Sequence, residues 1–140
     1  LYYQRTRLPA EIEAESGARY VSYEGLLEAS DFLSVHLPLN ASTEGMIDTA
    51  SFARMKPGAI IANISRAQLI DRAALISTLD SGRLGGAGLD VHYAEPGAPD
   101  EPLKNYRNVV LSPHVAVAQR AHNMADTAEM VANLTEVLGG

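Results

Sequence analysis

The chain has 140 residues, 46% of them hydrophobic and 20% charged, with 11 glycines, 7 prolines and no cysteine. That is the size and balance of one globular domain able to bury a core, and it excludes a disordered or low-complexity chain, a disulfide framework, a thiolate zinc site and a cysteine nucleophile. A formal net charge of −6 without a Lys/Arg cluster argues against nucleic-acid and anionic-membrane partners; no apolar run approaches the roughly 18 residues of a membrane span, and no signal segment opens the chain. A cytoplasmic protein is the expectation. The chain begins at Leu1 inside a strand-like segment and stops on Gly139-Gly140, which reads as a piece of a longer protein.

In chain order, Leu1-Tyr2-Tyr3 reads as a short strand, and Ala10 to Glu15 as a helix that Pro9 opens and Gly17 ends. Arg19-Tyr20-Val21 is a brief strand, and Tyr23 to Ala29 has helical spacing. Phe32 to Leu37 is a strand stopped by Pro38. Asp48 or Thr49 caps a short helix through Phe52 to Met55, which Lys56-Pro57-Gly58 terminates. Ala59 to Asn63 is a near-continuous apolar run, the pattern of a strand covered on both faces. Asp71 opens the clearest middle helix, with Leu75, Ile76 and Leu79 as its stripe. Leu84 to Val91 is a glycine-rich strand, and a long polar loop follows from Ala94 to Arg107, a length typical of functional loops. Val109-Val110-Leu111 is the last strand, and Gln119 to Leu138 reads as a long amphipathic helix. Strands alternating with helices specify a parallel α/β sheet.

Ligands of such sheets bind beyond the carboxyl ends of the strands. The residues that follow the apolar runs are Gln4-Arg5-Thr6-Arg7, Pro38-Leu39-Asn40, Ile64-Ser65-Arg66, Asp90 with Glu95, and Ser112-Pro113-His114. Arginine, aspartate, glutamate and histidine therefore fall on one edge of the predicted sheet. A guanidinium matches a carboxylate as a planar fork, and an imidazole with a carboxylate partner is suited to acid–base work near neutral pH. His36 reads as a packed or hydrogen-bonded strand residue, and His92 and His122 as local surface or interface residues. No two histidines have the i, i+4 spacing of a helical zinc site.

Three ordered segments carry a resemblance. Asn63-Ile64-Ser65-Arg66-Ala67-Gln68-Leu69-Ile70-Asp71 resembles the N-x-x-R-G-x-x-x-D motif of the D-isomer-specific 2-hydroxyacid dehydrogenases. Gly86-Ala87-Gly88-Leu89-Asp90-Val91 with Glu95-Pro96 resembles their G-A-G-L-D-V-x-x-x-E-P, and Ser112-Pro113-His114-Val115-Ala116 their [S/T]-P-H-[I/V]-[G/A]. Pro38-Leu39 and Lys56-Pro57-Gly58-Ala59 match in the same order. The resemblance implies a Rossmann-like, doubly wound parallel sheet lacking its first strand–helix unit. Residues 1–140 are then a partial nucleotide-binding domain, without the glycine-rich turn and the substrate domain. It implies that Arg66 binds the carboxylate and carbonyl of a small 2-oxo acid, that His114 is the general acid, and that Glu95 orients His114. Cofactor contacts fall to Pro38, Ile64, Ser65 and Asp90, the last at the nicotinamide end. It also implies a homodimer as the full-length protein.

At the end of the second strand of a dinucleotide fold, an acidic residue accepts from the ribose 2′-OH of NAD, whereas a basic residue accommodates the 2′-phosphate of NADP. If Leu1-Tyr2-Tyr3 is that strand, Gln4 occupies the acidic position, and Arg5 and Thr6 follow with a cation and a hydroxyl. The expectation is NADP, with NAD as the fallback, as in the glyoxylate/hydroxypyruvate reductase branch. Gly86-x-Gly88 imitates a phosphate-binding turn but leads along a strand and not into a helix. Two positions depart from the family pattern. Ala67 stands where glycine is usual, at a cost on the order of 1 kcal/mol if the position needs a positive φ, and Val117 replaces a small polar residue. A non-catalytic dinucleotide-sensing protein resembling the C-terminal-binding corepressors, or an inactive fragment, are the alternatives.

Overall fold

The computed structural model describes residues 1–95 and 97–116. The helix expected over Gln119 to Leu138, His122, Val117 and Pro96 lie outside the described residues.

Helix α1 (Ala10–Ser16) ends at Gly17, whose φ of 67° gives the left-handed C-cap that the sequence anticipates. Helix α2 (Tyr23–Ala29) is capped by the Ser22 side chain, which accepts from the Gly25 N–H. Strand β1 (Phe32–Val35) follows, then α3 (Thr49–Arg54), whose Asp48 cap accepts from the Ser51 N–H at 2.8 Å. Strand β2 (Ile60–Asn63) leads through a 3-10 turn (Ala67–Leu69) to α4 (Arg72–Asp80), which Asp71 caps through the Ala74 N–H at 2.7 Å. Strands β3 (Gly86–Leu89) and β4 (Val109–Leu111) complete a four-stranded sheet in the order β1-β2-β3-β4, parallel throughout. The 94–107 connection contains a 3-10 turn (Pro102–Asn105). Leu103 of that turn is buried, and Glu101, which precedes it, is buried and ion-paired with Arg72 at 3.0 Å.

Alternation along the strands sends Leu33, Val35, Ile61, Ala87 and Leu89 into a core shared with Leu27 of α2, Phe52 of α3 and Leu75 and Leu79 of α4. The opposite face carries Phe32 (77% exposed), Ile60 and Val110 (70% exposed). The apolar run of β2 predicts cover on both faces; among the described residues only the first face has its layer of helices.

The first two predicted strands reduce to a single parallel bridge between Tyr2 and Tyr20, made by Tyr2 N–H to the Arg19 carbonyl and Val21 N–H to the Tyr2 carbonyl, both 3.0 Å. They do not pair with β1. A groove of about 750 Å³ separates them from it, lined by Tyr2, Gln4, Leu33, Val35, His36 and Leu37 among others. The strand expected over Phe32 to Leu37 ends at Val35, so His36 lies just beyond it, exposed, with Nε2 at 2.7 Å from the Ser34 hydroxyl.

Entry into β3 depends on glycine for space. A Cβ at Gly85 would stand 2.2 Å from the Gly58 carbonyl oxygen, and one at Gly86 2.7 Å from that of Asn108. These glycines let adjacent chains approach. Gly85→Ala must push the 58–59 turn away from β3, and a loss of about 1–3 kcal/mol is expected, read as a lower urea midpoint with unchanged slope.

Candidate active site

The parallel register brings Asn63, Leu89 and Leu111 side by side at the carboxyl edge of β2, β3 and β4. Past that line the ladder continues for one step on each side: the Asp90 N–H donates to the Asn63 carbonyl and the Ser112 N–H to the Leu89 carbonyl, both at 3.0 Å. The loops that carry the predicted residues start from this common rim.

Asn63 is fully buried at the end of an otherwise apolar strand. Its amide accepts from the Ser65 N–H (3.0 Å) and donates to the Arg66 carbonyl (2.8 Å), which folds the 63–66 turn onto itself. The Ser65 hydroxyl donates to the Leu37 carbonyl at 2.6 Å, tying this turn to the segment before Pro38. Arg66 is exposed on the turn, and its Nη1 donates to the Ser65 carbonyl at 2.7 Å. Ala67 is buried and opens the 3-10 turn without a positive φ, so the strain that a missing glycine would bring does not arise. Ile64 and Leu39 add exposed apolar surface along the same rim.

The β3 and β4 loops meet in a tighter cluster. His114 Nδ1 lies 3.1 Å from Glu95 Oε1, with both side chains a little under half exposed. His114 has φ 57°, the left-handed region that side chains rarely adopt. Asp90 is 4% exposed and holds the backbone there: its Oδ1 accepts from the Ser112 hydroxyl and from the Val115 N–H (2.9 Å), and its Oδ2 from the Ala116 N–H (2.7 Å). Burial pushes this carboxyl up, but the hydroxyl and the two N–H groups favour the ionised form more, leaving it below the ordinary aspartate range. The His92 N–H (3.1 Å) holds the Glu95 carboxylate down, and the His114 imidazole adds to it against some desolvation.

The structure thus brings Asp90, Glu95 and His114 into one cluster and sets Arg66, Ile64 and Ser65 on the neighbouring turn. Pro38 is exposed on the turn that Ser65 ties down, its carbonyl accepting from the Thr43 hydroxyl at 2.7 Å. Gln4, Arg5 and Thr6 lie on the separate Tyr2 segment, where Gln4 shares the groove with His36 and Leu37. The Gln4 Nε2 donates to the Thr6 carbonyl at 2.7 Å. Arg7 is committed to Glu13 by two bonds of 2.9 and 2.7 Å. Sequence reasoning missed Asn63, Ser112 and His92 as organising residues. A polar residue ending an apolar run was the available signal for Asn63; His92 had none.

A parallel α/β sheet with its polar side chains gathered at the carboxyl rim defines a Rossmann-like nucleotide-binding domain. Residues 1–116 match the D-isomer specific 2-hydroxyacid dehydrogenase, NAD binding domain, and the chain belongs to that family. A glyoxylate reductase of Korarchaeum cryptofilum (strain OPF8) is 46% identical over 132 residues, covering 94% of this chain and 39% of that protein. The apo form of Rhodotorula graminis D-mandelate dehydrogenase superimposes with a TM-score of 0.78 at 42% identity, covering 84% of this chain and 34% of the other. A D-isomer specific 2-hydroxyacid dehydrogenase from Xanthobacter autotrophicus Py2, in complex with NADPH and MES, gives 0.65 at 37% identity, over 67% and 30%. The chain spans about two fifths of the length of the curated relatives it matches.

Asp90→Asn keeps the shape but forfeits the charge that gathers three donors, and should cost about 1.5–3 kcal/mol at pH 7. Because the folded carboxyl lies below its unfolded value, its stabilisation is complete above about pH 4 and is lost as the pH falls through the folded value. The difference between the urea midpoints of the two proteins should therefore be full near pH 7 and shrink progressively as the pH is lowered below about 4.

Proposed function

We propose that the intact protein reduces a small 2-oxo acid, of the glyoxylate or hydroxypyruvate kind, with a reduced nicotinamide dinucleotide, and that it prefers NADPH. The observation that carries this reading is the pairing of His114 Nδ1 with Glu95 at 3.1 Å, on a loop beside the turn that bears Arg66. The carboxylate accepts from Nδ1–H, so Nε2 is the atom that presents a proton to a substrate. When bound, the dinucleotide supplies the hydride for the carbonyl carbon. His114 gives its Nε2 proton to the carbonyl oxygen as the alcohol forms, Glu95 stabilises the imidazolium before that transfer, and solvent returns the proton afterwards. Arg66 engages the substrate carboxylate with the part of its guanidinium fork that the Ser65 carbonyl leaves open.

The cofactor preference rests on the donors of the Tyr2 segment. A 2′-phosphate there meets the neutral carboxamide of Gln4 and the exposed guanidinium of Arg5, which has no carboxylate partner among the described residues. Arg7 serves Glu13 instead. Exposed Ile64 and Leu39 suit the flat faces of a dinucleotide lying along the rim.

In the full-length protein, His114→Ala should lower kcat for glyoxylate by roughly 10²–10⁴-fold while the dinucleotide Kd, followed by nicotinamide fluorescence, stays within about twofold; normal turnover in that variant sinks the assignment. Gln4→Asp sets a carboxylate against the 2′-phosphate, so the ratio of kcat/KM for NADPH over NADH should fall by roughly tenfold or more. An unchanged ratio refutes the NADPH preference.

A further inference from the structure

We infer that His92 is a positioning residue for the acid–base pair, an inference that rests on the reading of His114 and Glu95 given above. His92 follows β3 by three residues and contacts both members' loops. Its backbone N–H donates to Glu95 Oε1 at 3.1 Å, the same oxygen that pairs with His114. Its ring Nε2 lies 2.9 Å from the Ser112 carbonyl oxygen. A carbonyl only accepts, so Nε2 carries the hydrogen and the tautomer is set.

That carbonyl also receives the His114 N–H at 3.0 Å, closing the turn that holds His114 at φ 57°. One imidazole therefore braces the turn on which the second one stands. Asp90 secures the same loop from below, through the Ser112 hydroxyl and the N–H groups of Val115 and Ala116. The two anchors differ in reach. Asp90 ties the start of the β3 loop to the β4 loop, whereas His92 bonds both to the Glu95 carboxylate itself and to the Ser112 carbonyl. The half-buried ring lies beside Gly97, where an added Cβ would stand 3.8 Å from its Cγ and Nδ1.

The spacing between Glu95 and His114 depends on this cross-link because neither loop is part of the sheet ladder beyond Asp90 and Ser112. A donor lost at His92 leaves the Ser112 carbonyl with one partner fewer and lets the strained turn relax. An ångström-scale displacement of an acid from its near-attack position is enough to cost on the order of 10²-fold in rate, while binding through Arg66 and the dinucleotide is untouched.

The test uses the full-length protein with glyoxylate and NADPH. His92→Phe replaces the imidazole with a somewhat larger apolar ring and removes the donor; His92→Gln restores an Nε2–H at a similar reach. The expected result is a kcat ten- to hundredfold lower in His92→Phe, with KM for glyoxylate, dinucleotide Kd and thermal midpoint near wild type, and recovery to within about threefold in His92→Gln. Wild-type kcat in His92→Phe overturns the inference, as does an equal loss in both variants, which would mark a packing role. His114→Ala, assayed alongside, separates the two levels. Turnover surviving there overturns the acid–base reading and this inference together, whereas an inactive His114→Ala beside a fully active His92→Phe removes only the role of His92.

Discussion

The rim of this sheet is organised around one buried carboxylate. Asp90 sits where β3 has just left the ladder, its own N–H still paired with the Asn63 carbonyl, and its two oxygens collect a hydroxyl and two backbone N–H groups from the chain that leaves β4. A buried anion is costly unless its lone pairs are used. Here they are used on the loop that needs them, since His114 occupies a backbone conformation that sterics disfavour. The same hydrogen bonds offset both the desolvation of the carboxylate and the strain at the histidine.

That arrangement explains how a site made of loops acquires definition. The loops at the carboxyl edge are tied to one another by bonds outside the ladder, Ser65 to the Leu37 carbonyl, Asp90 to the 112–116 loop and His92 to the Ser112 carbonyl, while Asn63 closes its own turn onto Arg66. The sheet supplies parallel strand ends about 4.8 Å apart, and these ties convert that spacing into fixed relative positions for side chains several residues farther on. Arg66 and His114 remain exposed at the tips, free to meet a ligand, while Asn63, Ser65, Asp90 and His92, which brace their loops, are buried or half-buried.

The Tyr2 segment is secured differently. It joins the rest through the Tyr2–Tyr20 bridge and a small network in which the Tyr2 hydroxyl contacts Glu13 and accepts the Leu8 N–H at 2.9 Å, with Arg7 closing onto Glu13. The Arg7 side chain, helped by the tyrosine hydroxyl, lowers the Glu13 carboxyl to about 2. Under the proposed function the labour is divided: residues after β2, β3 and β4 handle the reacting acid, and the Gln4–Thr6 stretch sets which dinucleotide is accepted. The two regions meet along the groove and rim through His36 and Leu37.

By itself the sequence determined the order and type of the elements and the residues at their ends. Apolar runs with Pro, Gly, Ser and Asp at their borders are local signals, so α2 came out over Tyr23–Ala29, Asp71 as the start of α4, Asp48 as one of two cap candidates for α3, and the polar residues after β2, β3 and β4 on one edge. Local signals do not count partners. Leu1-Tyr2-Tyr3 has strand character yet forms one bridge, because pairing needs a neighbour in register; β2 is apolar on both sides although among the described residues only one side of the sheet is covered. Ala67 looked strained for want of a glycine until its φ was known. The roles of Asp90 and His92 as braces likewise belong to tertiary structure, since their partners Ser112, Val115 and Ala116 are 20 to 26 residues away, and only the parallel register of β3 with β4 brings them within the length of a hydrogen bond.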